Sequence, residues 1–365
     1  MDLQALLIFF ITIVVFCGVL NYLLLKWTKT LGRKNDINDE EVRWSEDYKP
    51  AIGGVGFYIA FIIALMVYFA LFKPYLSQAQ ELAEYGIVLC VTLGFFAGLA
   101  DDAFNTVPWF KFIAQFCCGL ILVIFGLQIS FFDVAWLDAL LTIFWTISVM
   151  NSINMLDNMD GITASVGISI LLCAAICALP FSEANIFYTL ICGGTVASLI
   201  GFLFLNWNPA KMFMGDTGSQ MLGAMLAAVG ITFFWNNDAI ITDHSWYSKL
   251  VIVMTAFVIP IGDSLTVTIN RLRRGQSPFV GGRDHTTHHL SYAGLTDRQV
   301  VYVMIGLSAI SVLLIAGLQY IPKPNLSLYV TILFIYCILA IGFLFSTPRW
   351  RKAKSRYQTL NSPTG

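Results

Sequence analysis

Residues 139–160 read ALLTIFWTISVMNSINMLDNMD. Positions 139–156 contain no Asp, Glu, Lys or Arg, and about 20 apolar residues cross a bilayer's hydrocarbon core as a helix. The stretch turns polar at one end, with Asn151, Asn154, Asp157 and Asp160 closing it. Similar charge-free windows run over 3–25, 51–72, 85–100, 112–132, 161–182, 184–210, 217–237, 299–322 and 324–348, and 250–270 is interrupted only by Asp263. These eleven windows predict an all-α polytopic membrane protein with about 11 transmembrane helices. The window at 85–100 is short and Gly-rich, with a backward extension through Leu82 open to it.

Composition agrees. The chain is 58% hydrophobic and 12% charged, where a soluble domain carries about 25% charged residues. Mean hydropathy is +0.75. A water-soluble enzyme and a disordered protein fit poorly, and a net charge of −1 leaves no footprint for nucleic acid. The eight cysteines lie in apolar stretches without a C-x-x-C, as small hydrophobes packed between helices. The first apolar run has no basic leader and lasts until Lys26, so it is expected to stay as a spanning helix.

Lys and Arg set the expected orientation. With the N-terminus outside and the C-terminus cytoplasmic, 18 of the 21 basic residues face inward, leaving Lys73, Lys249 and Lys323 outside. Residues 1–348 then form one transmembrane domain, followed by a basic tail over 349–365.

The polar clusters fall in the inward loops. Asp101 and Asp102 stand in GLADDAFN, Asp216 in FMGDTGS, and Lys111 opens the next apolar window. Acids gathered on one face repel one another unless a cation or basic partner joins them. Oxygen ligands without a Cys/His cage suit Mg²⁺ or Mn²⁺, and Mg²⁺ commonly shares its shell with substrate phosphates. Gly215 and Gly218 flank Asp216 at a helix start, and Gly161 precedes another, so backbone N–H groups there are expected to face an anion. Asn151, Asn154 and Asp157 recur at i,i+3, forming a polar stripe toward Asp160 if the helix continues. Such amides suit a nucleobase or an acetamido group equally.

Three of the four histidines, His285, His288 and His289, lie within one helical turn, close to Arg271, Arg273, Arg274 and Arg283. Zinc lacks a supporting Cys or H-E-x-x-H. A clamp on a polyanion is the expectation, whereas His244 stands alone in an outside loop.

From Pro50 to about Leu295, the ordered motifs PAIGG, DDAFN, NSINMLDNMDG, FMGDTGS, RLRRGQSPF and the His-rich loop resemble the polyprenyl-phosphate N-acetylhexosamine-1-phosphate transferases. The N-acetylglucosamine branch is the nearest. The resemblance implies catalytic roles for Asp101, Asp102, Asp157 and Asp160, and a magnesium-binding role for Asp216. It implies substrate-binding roles for Asn151, Asn154, Lys111, Asp263, Arg283, His285, His288 and His289. Two departures stand out: Asn158 replaces the first glycine of D-G-x-D-G, and Thr286 takes the first place of H-x-H-H, with His285 one residue earlier.

The implied reaction is attack by a polyprenyl-phosphate oxygen on the sugar-linked phosphorus of a UDP-N-acetylhexosamine, releasing UMP. Direct displacement is preferred to an aspartyl-phosphate intermediate, with Asp101 or Asp102 as proton acceptor. The sugar is expected to be N-acetylglucosamine, with phospho-N-acetylmuramoyl-pentapeptide as the alternative. Pairing of two copies of the chain is left open. A proton-coupled transporter is the competing class, and would place polar residues mid-helix and on both sides.

Overall fold

The computed structural model describes residues 3–27, 49–72, 78–178, 186–236, 246–277, 282–322 and 325–360. Most of the first inward loop (28–48), His244 and positions 278–281 lie outside the described residues. The helices are α1 (Leu3–Trp27), α2 (Gly53–Val67), α3 (Gln78–Phe104), α4 (Pro108–Ile124), α5 (Ala135–Leu156), α6 (Ile162–Cys177) and α7 (Ile186–Asn206). They continue as α8 (Gly215–Gly230), α9 (Trp246–Ala256), α10 (Val258–Arg273), α11 (Thr286–Tyr292), α12 (Asp297–Gly317) and α13 (Leu326–Leu360). A single bridge between Ala51 and Phe213 is the extended pairing among the described residues.

Every charge-free window holds a helix. Among the described residues, eight helices are long and apolar enough to cross a membrane, and α4 and α6 are shorter apolar helices. The window at 250–270 is not one straight rod: α9 and α10 meet at an 86° bend. Phe257 sits between them, and Pro260 falls in the first turn of α10, where its missing N–H does no harm.

Helix α8 forms the core, with 94% of its most apolar window buried. Its sequence, GDTGSQMLGAMLAAVG, is dominated by small residues that let neighbouring backbones close in. Gly98 on α3 shows how close: a Cβ there would come within 2.2 Å of the Asp216 carbonyl oxygen.

Helices α3 and α5 take in acids that lie outside their windows because those acids have partners. Helix α3 starts at Gln78, and its buried Glu84 receives the Tyr68 hydroxyl at 2.9 Å. Helix α5 includes buried Asp138, whose Oδ1 accepts the N–H groups of Phe131 and Phe132 at 3.1 and 2.8 Å. The polar residues are therefore not confined to one end of the bundle. The eight cysteines are free thiols, seven of them buried.

Candidate active site

Asp101 and Asp102 are neighbours at the end of α3, so their side chains leave the helix about 100° apart. Their partners differ accordingly. Asp101 accepts the Thr106 N–H and hydroxyl on Oδ1, at 3.0 and 2.5 Å, and meets Lys111 Nζ on Oδ2 at 2.7 Å. Asp102 turns to the start of α8. Its Oδ1 accepts the Asp216 N–H at 3.0 Å, while Oδ2 accepts the Thr217 N–H and hydroxyl at 2.8 and 2.6 Å.

The anion expected at that helix start is thus the protein's own. The N–H groups of Asp216 and Thr217, predicted to face a substrate, are satisfied by Asp102. Gly215, at φ +73°, makes the approach, since a Cβ would lie 2.7 Å from both Ala51 O and Asp102 Oδ2. The other predicted anion site is also filled: Gly161 N–H donates to Asn206 Oδ1 at 2.9 Å.

The Asp216 carboxylate points back toward α4 and α5. Lys111 Nζ lies 2.9 Å from its Oδ2, and Asn154 Nδ2 donates to its Oδ1 at 2.6 Å. Lys111 therefore bridges Asp101 and Asp216, supplying the basic partner that clustered acids require. Deeper in the bundle, Gln115 links Asn151 to Gln220. Asn151 Nδ2 donates to Gln115 Oε1 at 2.8 Å, and Gln115 Nε2 to Gln220 Oε1 at 3.2 Å. Asn151 belongs to this amide floor, whereas Asn154 reaches the carboxylates.

The polar stripe does not extend to Asp160, because α5 ends at Leu156 and the chain turns. Asp157 sits at the helix end. Burial, reinforced by the charge of Asp216, pushes its carboxyl up to about 7. Asp160 turns to the loop before α8, accepting from Asn208 Nδ2 at 3.1 Å and the Ala210 N–H at 2.9 Å. Lys49 approaches it at 3.9 Å and lies over the Phe213 ring. The PAIGG and FMGD motifs are joined here, with Phe213 N–H donating to Pro50 O and Gly53 N–H to Phe213 O.

The histidine turn meets the same end of the bundle through α10 and α11. Asp263, 1% exposed, receives His285 Nδ1 at 2.8 Å. His285 and His288 meet edge-on at 5.6 Å, and burial, then the charge of His285, lowers His288 to about 4. His288 is thus a neutral donor at neutral pH.

The arginine clamp is largely engaged by the protein itself. Arg271 forks onto Asp284 at 3.0 and 2.6 Å, and Arg274 adds a third contact at 2.7 Å. Although burial opposes it, these guanidiniums hold Asp284 down at about 2. Arg273 lies over the Phe345 ring. Arg283 is exposed, and its carbonyl accepts from Tyr292. Asn206, Asn208, Gln115 and Gln220 escaped notice in the sequence because they lie inside or beside long apolar windows.

The family model described as Glycosyl transferase family 4 matches residues 85–234. The Bacillus subtilis (strain 168) protein named "Probable undecaprenyl-phosphate N-acetylglucosaminyl 1-phosphate transferase" is 26% identical over 264 residues, covering 70% of this chain and 69% of its own. The "Decaprenyl-phosphate N-acetylglucosaminephosphotransferase" of Mycobacterium leprae (strain TN) is 29% identical, covering 71% of each chain. The "Phospho-N-acetylmuramoyl-pentapeptide-transferase" of Listeria welshimeri is 27% identical, covering 72% of this chain and 81% of its own.

Residues 85–234 are thus similar to glycosyl transferase family 4. The family match spans α3 to α8 and so contains the carboxylate cluster, Lys111 and both amide groups. Asp263 and the histidine turn lie beyond it and reach the matched segment through contacts in space, such as Ser264 Oγ to Ser152 Oγ at 2.9 Å.

Proposed function

We propose that the protein transfers an N-acetylhexosamine-1-phosphate, with N-acetylglucosamine as the sugar, from its UDP conjugate to a polyprenyl phosphate, releasing UMP. The observation that carries this reading is the convergence of Asp101, Asp216, Asn154 and Lys111, from four helices, on one polar point at the end of an apolar bundle. A membrane-bound phosphate and a water-borne nucleotide can both reach such a point. The relatives' names, all of polyprenyl-phosphate or phospho-sugar transferases, support it. The excess of Lys and Arg in the loops at this end supports a cytoplasmic placement in the plasma membrane.

The residues suit a hard cation. Lys111 lies 2.7 and 2.9 Å from Asp101 and Asp216, so the two carboxylates address one cation-sized position. Among the described residues no three His, Cys, Asp or Glu side chains converge. A cation here would therefore draw on at most two carboxylates, the number Mg²⁺ commonly uses beside water and phosphate. Asp216, with Asp101, would hold Mg²⁺ (or Mn²⁺), which when bound neutralises charge on a diphosphate.

The chain's own groups supply the rest. Asn154 and Lys111 orient the Asp216 carboxylate, and Lys111 offers a cation to phosphate oxygens. Asp157, near 7, is suited to take the last proton of the lipid phosphate, whose second pKa is about 6. The lipid oxygen then attacks the sugar-linked phosphorus and the bond to UMP breaks, with His288 and His289 donating to phosphate oxygens. Positioning carries much of the rate.

The test is UMP release by purified protein given undecaprenyl phosphate and a panel of UDP-sugars, with and without Mg²⁺. Lipid- and metal-dependent release with UDP-N-acetylglucosamine is expected. No release from any panel member would end the reading, and preference for UDP-MurNAc-pentapeptide would replace the sugar.

A further inference from the structure

The three residues preceding the His288–His289 pair all bond to the protein. His285 Nδ1 meets Asp263 Oδ2 at 2.8 Å. The Thr286 N–H and hydroxyl both donate to Asp263 Oδ1, at 2.8 and 2.7 Å. Thr287 Oγ1 donates to Asn158 Oδ1 at 2.7 Å, and Asn158 Nδ2 donates to Met155 O at 2.9 Å. Asp263, Thr286 and Thr287 are buried to within 1% of complete. The two positions that depart from the family's motifs, Asn158 and Thr286, both take part.

We infer that Asp263 and Asn158 form a two-point seat for the His285–Thr287 segment, making His285, Thr287, Asn158 and Asp263 positioning residues that set the His288–His289 pair against the Asp157 loop. The inference rests on the proposed phosphotransfer. It reassigns Asp263 and His285, which the resemblance counts as substrate-binding. Asp263 already receives three donors, so it offers little to a substrate and much to the turn that caps on it. His285 engages it through Nδ1, the nitrogen that fixes how an imidazole is oriented. Asn158 does what the family's glycine cannot: its side chain ties the end of α5 to the start of α11. The histidine pair and the Asp157 carboxyl thereby become parts of one rigid arrangement.

Two isosteric replacements separate positioning from phosphate binding. The amide nitrogen of Asn lies close to the place of imidazole Nδ1, and that of Gln close to Nε2. Under the seat, His285→Asn keeps the bond to Asp263 and retains kcat within about threefold, whereas His285→Gln lowers kcat about 10- to 100-fold, as loss of an orienting partner does. A phosphate ligand acting through Nε2 gives the reverse order, and that result overturns the inference.

A milder pair guards against misfolding. Thr287→Val removes the bond to Asn158, and Asn158→Ala removes that bond and the one to Met155 O; each should lower kcat about 3- to 10-fold, with KM for UDP-N-acetylglucosamine nearly unchanged. Because both break the same bond, the double variant should be no slower than the worse single one. Additive losses, or losses in KM alone, overturn the seat. All five variants are measured by UMP release in detergent beside wild type. A silent wild type would count against the phosphotransfer reading, whereas an active wild type with the wrong order of variants counts against the seat alone.

Discussion

Replacing Asp102 by Asn tests whether paired aspartates share a role. Asp102 receives three donors at the start of α8, the Asp216 N–H, the Thr217 N–H and the Thr217 hydroxyl, at 3.0, 2.8 and 2.6 Å. An Asn side chain has one acceptor oxygen. Turned toward Thr217 it keeps two donors, but its NH₂ then faces the Asp216 N–H, leaving one bond unmade and the negative charge at the helix start gone. A lost cap costs about 0.5–2 kcal/mol, and a charge at a partly buried helix end is worth up to about 2 kcal/mol. The expected loss is about 2–4 kcal/mol, read as a drop of roughly 3–5 °C in thermal unfolding in detergent. Because the same helix start carries Asp216, the carboxylate should shift against Lys111 and Asn154, lowering kcat about 10- to 100-fold. A proton acceptor behaves otherwise: the variant would unfold with wild type and lose activity by 10³-fold or more. Unchanged unfolding with lost turnover would refute the capping role.

Other expectations follow from the same contacts. Asp216→Asn should reduce UMP release by about 10³-fold or more and weaken Mn²⁺ binding measured by paramagnetic resonance, with unfolding little changed; near-wild-type turnover would remove Asp216 from the cation site. Asp157, at about 7 against an ordinary 3.8, is held neutral by the fold, so its stability contribution is full below about pH 4 and is lost as pH rises through about 7. Asp157→Asn should therefore be more stable than wild type at pH 8, by about 2–4 kcal/mol at most, yet about 10²-fold slower there; parallel pH profiles of the two proteins would count against Asp157 as base. Gly98→Val should prevent α3 from closing on α8, since even a Cβ meets the Asp216 carbonyl oxygen at 2.2 Å, and a correctly folded, fully active variant would contradict that packing.

The helices were largely legible because a membrane span must satisfy its backbone internally and keep charge out, which leaves long windows in the sequence. Their ends were legible only where charge marks a helix end. Glu84 and Asp138 lie inside helices, each matched by donors that no local pattern announces, so α3 and α5 start earlier than their windows. The 86° bend at Phe257 left only Pro260 as a signal, and a proline in the first turn is equally consistent with an unbent entry. Identifying the site residues was likewise easier than assigning their roles. The contact between Asp102 and the start of α8 joins residues 114 positions apart, and the seat of Thr287 on Asn158 joins residues 129 apart.

Those distant contacts divide the labour among carboxylates that look alike in the sequence. Asp102 holds the start of α8, Asp160 holds the loop before it, and Asp263 holds the histidine turn. Asp101 and Asp216 share Lys111, which turns both toward one point. Three of the six acids thus serve as anchors, each accepting N–H or O–H donors from a distant segment. Asp157 is different: burial and the neighbouring charge of Asp216 outweigh its hydrogen bonding, so it exchanges a proton near neutrality. A phosphate-transfer centre needs both kinds. Fixed anions can gather cations and hold helix ends, and one poorly stabilised anion can accept a proton. The partners around each acid, more than its motif, decide which part it plays.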